Sequence, residues 1–482
     1  MDQQNKGQFN SNFGFLMASL GSAVGLGNLW QFPYKMGTGG GFTFLFIYAI
    51  LLLIVGYPLV LSEIAIGRKS QKAAIEAFNE INPAFKFNGI LQTIVPFFLI
   101  AFYCTFGGYV MKYLFMSLAM FTGNNFDPGA VFESTLLGSS FSTVLFVVAF
   151  LVLTVIIVLA GVSGGIERFC KFAMPALFLI LIVMIIRSCT LPNSSGGIAF
   201  LFKPNLDAMR SPEGNLSLYG TYLNEEGKSV AYGFFNVLKL AGTQMFFSLS
   251  LASGCLIAYG SYLDKKESLE KDAVIITIGD TLAALLAGLA IMPACASFDI
   301  PYSSSVGLAF LAMPNVFNSM AGGAFFAFLF WLLFFFACLS SSIGMMEGGI
   351  SAILDSRIKA GKTANRFTVT LAMGAWALIG NLMTTLDGLG TTGKMDWFHI
   401  LGQTDVLSVW DAVAEGLLMP ISGLIMAILI GWVVPHYIDD EVELTGSFKS
   451  KGFFNFCIKW VGPIAMALII FAQLQDMFHI GA

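Results

Sequence analysis

The sequence predicts an all-α polytopic membrane protein of eleven transmembrane helices, five plus five as an inverted repeat with one helix added, in which helices 1 and 6 are broken. Three observations point there. The chain of 482 residues is 56% hydrophobic and only 11% charged, and its mean hydropathy of +0.78 is far from that of a soluble domain. Its apolar runs reach twenty residues or more, whereas the strands of a membrane barrel alternate over about ten. Two of those runs, the first and the sixth, are interrupted by small residues at matching places.

The spans fall roughly at 12–36, 42–67, 88–121, 140–160, 166–190, 232–260, 272–295, 323–354, 366–386, 409–435 and 455–476. Each is long enough for a hydrocarbon core of about 30 Å. The whole, 1–482, reads as one transmembrane domain: repeat one over 12–190, a polar loop over 191–230, repeat two over 232–435 and an extra helix over 455–476. Within the first span, Gly21-Ser22-Ala23-Val24-Gly25-Leu26-Gly27-Asn28 carries three glycines. Each weakens a helix by about 1 kcal/mol, and unpaired backbone is tolerated at this depth only beside a polar cavity. A break there offers carbonyls to a cation from one half-helix and N–H groups to an anion from the other. The competing reading is that the glycines permit close helix packing. The sixth span carries Ser248-Leu249-Ser250-Leu251-Ala252-Ser253-Gly254 at the corresponding place. Paired interruptions of this kind point to a transporter with its site at the midplane. The apolar loop 298–323 reads either as a hairpin dipping into an outer vestibule or as a surface segment with a short packed helix.

Basic residues set the orientation. With the N-terminus inside, the inner loops collect Lys6, Arg68, Lys69, Lys72, Arg168, Lys171, Lys265, Lys266, Arg357, Lys359 and several more, while the outer ones hold only Lys35, Arg187, Lys203, Arg210, Lys228 and Lys394. The expected location is the inner (plasma) membrane, with a cytoplasmic N-terminus, an external C-terminus and a first span retained in the mature chain. The seven cysteines and three histidines have no metal-ligand spacing, and no loop gathers a catalytic cluster, so an enzyme is not expected. Nothing suggests a nucleic-acid partner; the expected partner is the lipid bilayer, with the chain a monomer or weak homodimer. A channel on the same scaffold is the alternative from another class, and conductance above any plausible turnover distinguishes it.

Polar groups inside spans mark function. Asp280 lies mid-span, where a lone carboxylate costs about 3 kcal/mol. Ser340-Ser341-Ser342 offers hard oxygen ligands suited to Na⁺, although such hydroxyls more often bond the carbonyl four residues back. Tyr103 needs a hydroxyl partner if buried. Glu63 and Glu347 read as structural anchors.

Taken together, Ala23-Val24-Gly25-Leu26-Gly27-Asn28-Leu29-Trp30-Gln31-Phe32-Pro33-Tyr34, Gly39-Gly40-Gly41, Pro58 with Glu63, Phe246-Phe247-Ser248-Leu249-Ser250 and Ala337-Cys338-Leu339-Ser340-Ser341-Ser342 resemble the neurotransmitter:sodium symporter family, in its prokaryotic amino-acid transporter branch. The resemblance implies sodium-coupled amino-acid symport with two Na⁺ ions, with sodium-coupled transport of another small amine or amino acid as the alternative within the class. It implies a first sodium held by the Ala23 carbonyl, Asn28, Ser248 and Asp280 beside the substrate carboxylate. The second would be held by carbonyls of Gly21, Val24 and Ala337 with the hydroxyls of Ser340 and Ser341. The substrate carboxylate would meet the N–H groups of Leu26 and Gly27 and the Tyr103 hydroxyl. Its ammonium would face carbonyls of Ala23, Phe247 and Ser248 and the Ser250 hydroxyl. Leu99, Tyr103, Phe247, Ser253, Ser341 and Met345 would line the side-chain pocket. Ser253 stands where the family often has phenylalanine, which frees the volume of a ring and favours a hydrophobic or aromatic L-amino acid.

Three departures follow from the same resemblance. Gln31 replaces a usual gate arginine, with Asp411 as its expected partner, which predicts a weaker outer latch. Ala284 stands at the animal members' chloride-site serine while Asp280 supplies a fixed charge, which predicts chloride-independent transport. The inner gate pairs Lys6 with Asp355 beside Tyr262.

Overall fold

The computed structural model describes residues 8–223, 229–303 and 305–478. Among them, nine continuous helical segments are long and apolar enough to cross a membrane: Phe42–Ser70, Pro83–Met120, Phe141–Leu159, Val162–Cys189, Leu269–Ser297, Gly323–Lys359, Arg366–Asp387, Val406–Val433 and Lys451–Met477. Two more crossings are broken. The first is Asn12–Ala23 followed by Gly27–Thr38, bent by 51°. The sixth is Phe234–Ser248 followed by Cys255–Gly260. The all-α class, the eleven crossings and the two breaks agree with the sequence reading.

Span ends follow local chemistry. Ser11 caps the first span, its hydroxyl accepting from Gly14 N–H at 3.1 Å, and Asn365 caps the ninth by accepting from Phe367 N–H. Gln71, in the left-handed region at φ 52°, ends the second span. The third and eighth spans pack against each other along the centre of the bundle. The first half of the first span lies against the fifth, seventh and eighth, and the last helix covers the tenth span and the first half of the sixth. There Gly242 and Gly416 give it room, since a Cβ on either would meet Ile469 at 2.6 Å or Gln473 at 2.8 Å.

One face of the bundle is built over. The connection after the fifth span folds into a short helix, Ser195–Phe202, and an antiparallel hairpin of β1 (Gly220–Leu223) and β2 (Ser229–Tyr232). The segment after the seventh span dips inward, as the hairpin alternative predicts. Its Phe310 is fully buried against Tyr109, Tyr113 and Trp331, and its carbonyl accepts from the Tyr113 hydroxyl at 2.9 Å.

Candidate substrate and sodium site

The two breaks face each other. The Ser250 hydroxyl, in the sixth span's break, donates to the Ser22 carbonyl in the first at 3.0 Å, and Gln244 Nε2 donates to the Gly27 carbonyl at 2.8 Å. The breaks are made differently. In the sixth span the chain turns through left-handed residues, Ser250 (φ 52°), Ala252 (φ 54°) and Gly254 (φ 71°). Such conformations persist where the surroundings hold them. Glu63 does so here, accepting from Ala252 N–H at 2.5 Å, which accounts for a buried carboxylate read from sequence as an anchor.

In the first span none of Gly21, Gly25 and Gly27 has a positive φ. These glycines serve close approach. A Cβ on Gly25 would lie 2.4 Å from Ser341 Oγ and 2.5 Å from the Tyr103 hydroxyl, and one on Gly27 would lie 2.8 Å from the Phe247 ring. Both sequence readings of the glycines thus hold: the helix breaks here, and it breaks against near neighbours.

Three of the side chains expected at the first sodium meet directly. Asn28 Nδ2 donates to Asp280 Oδ1 at 2.8 Å, and the Ser248 hydroxyl donates to Asp280 Oδ2 at 2.8 Å. Asn28 Oδ1 accepts from Gly25 N–H at 3.0 Å, so it caps the freed half-helix. Around the second expected sodium, the Ser341 hydroxyl donates to the Gly21 carbonyl at 3.1 Å. The Ser340 hydroxyl donates back to the carbonyls of Phe336 and Ala337 at 2.9 and 3.1 Å. Val24 ends the helix in extended backbone (φ −75°, ψ 96°), next to Ala23. All these groups are hard oxygens or bear one, which suits a hard cation.

Of the expected substrate groups, the Tyr103 hydroxyl accepts from Leu26 N–H at 3.0 Å. The Phe247 ring lies 6.5 Å from that of Tyr103. Ser253 is buried and donates to the Ser250 carbonyl at 2.5 Å. Leu99 and Met345 are buried in the same apolar core.

The gates depart from expectation. Gln31 donates not to Asp411 but to Glu415, at 3.1 Å from its Oε2. Glu415 Oε1 forms an ion pair with Lys35. The reason is geometric: the first span stays helical to Thr38, so Lys35 points into the bundle and is buried, although its charge places it among outer-loop residues in a sequence reading. Asp411 lies one turn before Glu415 and lines a cavity of about 330 Å³ with Trp30, Gln31, Tyr34, Phe102 and Ser408. At the other face, Asp355 accepts from Ala73 N–H at 2.7 Å; its expected partner Lys6 lies outside the described residues. Tyr262 donates to Glu347 at 2.8 Å, and Glu347 is paired with Arg366.

Sequence reasoning missed Lys35, Glu415, Gln244 and Tyr48, whose hydroxyl lies beside Asp280 and Ser248. Only the first two left a signal: an acid and a base, each four residues beyond a suspected gate residue, inside apolar runs.

A bundle of apolar spans with two broken helices meeting around a polar centre defines an integral membrane transporter. The model of the Sodium:neurotransmitter symporter family matches residues 6–124 and 234–481. The chain is 31% identical to the sodium-dependent transporter YhdH of Bacillus subtilis, over 98% of this chain and 99% of that protein. It is 30% identical to a sodium-dependent transporter of Haemophilus influenzae, over 97% and 98% respectively. The structure of MhsT in complex with L-phenylalanine superposes with a TM-score of 0.84 at 29% identity, covering 97% of this chain and all of that one (100%). The chain belongs to the sodium:neurotransmitter symporter family, whose members are sodium-dependent transporters and not enzymes.

Proposed function

We propose that this protein carries a hydrophobic or aromatic L-amino acid across the inner membrane together with two sodium ions, by alternating access and without chloride. The observation that carries the reading is the meeting of the breaks: the Leu26 N–H donating to the Tyr103 hydroxyl, with the Asn28–Asp280–Ser248 cluster adjoining. A zwitterion fits that arrangement. Its carboxylate competes for the donors at Leu26, Gly27 and Tyr103, and its ammonium meets carbonyls of Ala23, Phe247 and Ser248 and the Ser250 hydroxyl. The first sodium takes the place of the N–H and O–H donors on Asp280, with Ala23, Asn28 and Ser248. The second takes Gly21, Val24, Ala337, Ser340 and Ser341.

The substrate class rests on Ser253, buried at the end of the sixth break where a ring would otherwise take up volume, and on the L-phenylalanine carried by the similar structure. The energetics suffice. One charge crossing 100 mV gains about 2.3 kcal/mol, so two sodium ions sustain on the order of a thousandfold gradient of a neutral substrate even without a sodium concentration difference. The basic-residue asymmetry supports a cytoplasmic N-terminus and makes the built-over face the outer one. The test is competition against uptake of labelled tyrosine by each unlabelled amino acid. Aromatic and large aliphatic residues are expected to compete; strong competition by glycine with none by aromatics defeats the assignment.

A further inference from the structure

Lys35 and Glu415 form a buried ion pair between the first and tenth spans, directly above the breaks on the built-over face. Lys35 Nζ is also 3.4 Å from Thr243 Oγ1 and 3.5 Å from Gln31 Oε1. Because Gln31 holds the other Glu415 oxygen, both are occupied. Asp411 is left over. Its carboxyl faces that of Glu415 one turn on, and its buried Oδ1 has no hydrogen-bond partner. The other titratable groups near it are Tyr34, on the first span, and Asp405. The Asp405 carboxylate is already engaged, accepting from Ser408 N–H and its hydroxyl at 2.8 and 2.7 Å. One ammonium therefore faces two carboxylates at its own level. Two neighbouring carboxylates that share one ammonium do not readily both stay ionised. Asp411 alone of the pair also borders the cavity, through which water reaches it.

We propose that Lys35 and Glu415 are the charged latch of the outer gate, and that Asp411 takes a proton from the outer solution when the gate shuts and returns it when water enters. The latch would thus sit one helical turn beyond Gln31, and the weaker closure expected from a glutamine at that position does not follow. This deepens the transporter reading, but its test reads solvent access and needs no substrate, so it fails independently of the substrate assignment.

The reporter is Leu407→Cys, which borders the cavity, in a chain with Cys189→Ser, since Cys189 is the cysteine that is not buried. The reconstituted protein is exposed to a membrane-impermeant thiol reagent from outside. Lys35→Met and Glu415→Gln are each expected to speed labelling roughly fivefold or more, because each strands a buried charge. Either single variant could fail to fold for that same reason. The double variant Lys35→Met/Glu415→Gln strands none and is expected to label as fast as an open gate. Between outside pH 6 and 8, the ratio of labelling in the parent to that in Asp411→Asn is expected to rise several-fold, since closing binds a proton and low pH favours it. The thiol's own titration cancels in that ratio. Labelling of the double variant at the parent's rate overturns the latch, and a ratio independent of pH overturns the proton site.

Discussion

At Gly25 a missing methyl group decides more than any charge. The site needs Tyr103 and Ser341 close to the freed backbone, and a Cβ would enter both hydroxyls. Alanine normally strengthens a helix over glycine by about 1 kcal/mol. Here Gly25→Ala is expected to cut sodium-dependent uptake about tenfold or more, because overpacking a rigid site costs about 1–3 kcal/mol. The purified protein should still elute as one species, and unchanged uptake would remove the steric argument. Ser253→Phe tests the pocket itself. It is expected to raise the tyrosine concentration needed for half-maximal competition by roughly tenfold while sparing alanine, since a ring-sized volume is refilled. At this scale Asn28 and Ser248 stand in strongly patterned segments, and Asp280 and Tyr103 stand out as polar groups inside apolar runs. Lys35 and Glu415 left only the signal of a charge inside an apolar run. A lysine two residues after Pro33 reads as the start of a loop, and the resemblance pointed to Asp411 while Glu415 lies one turn further on.

Among the elements, the first half of span one is anchored at its start by the fifth span. Glu167, at the start of the regular helix in the fifth span, is buried and accepts from Asn10 N–H at 2.8 Å, Asn10 Nδ2 at 3.1 Å and the Ser11 hydroxyl at 3.3 Å. Gly14 leaves room for it, since a Cβ there would lie 2.1 Å from Glu167 Oε1. Lys171 pairs with the same carboxylate at 2.6 Å. Hydrogen bonds to a charged acceptor are worth about 1.5–3 kcal/mol each, so Glu167→Gln should release this half-helix from the fifth span. Cys170 reports it, since its sulfur lies 3.0 Å from where a Gly21 Cβ would sit. Labelling of Cys170 from the cytoplasmic side is expected to speed up several-fold; no change would leave Glu167 a passive cap. Both breaks were legible from their small residues, but not how each is made. That the first is shaped by contact and the sixth by left-handed backbone held by Glu63 depends on neighbours far apart in sequence.

Taken whole, the molecule brings two interrupted helices from separate halves to one polar centre. Fold class, helix number and family follow from hydropathy and motif. The inward course of the segment before the eighth span did not, because an apolar loop has no periodicity that tells a surface helix from a buried one. Asp280 places a carboxyl group at the centre, bonded to Asn28 and Ser248, and the proposed chloride independence assigns it the part of the anion. Uptake is therefore expected to persist within about twofold when chloride is replaced by gluconate; abolition would show that an anion is required after all.

The most direct measurement is uptake by proteoliposomes under an imposed inward sodium gradient, across a panel of labelled amino acids that includes phenylalanine and tyrosine. The account predicts accumulation of a hydrophobic or aromatic member above its outside concentration, lost when the gradient is dissipated and in Gly25→Ala. Flux that is the same with and without the gradient, for every amino acid in the panel, would contradict it.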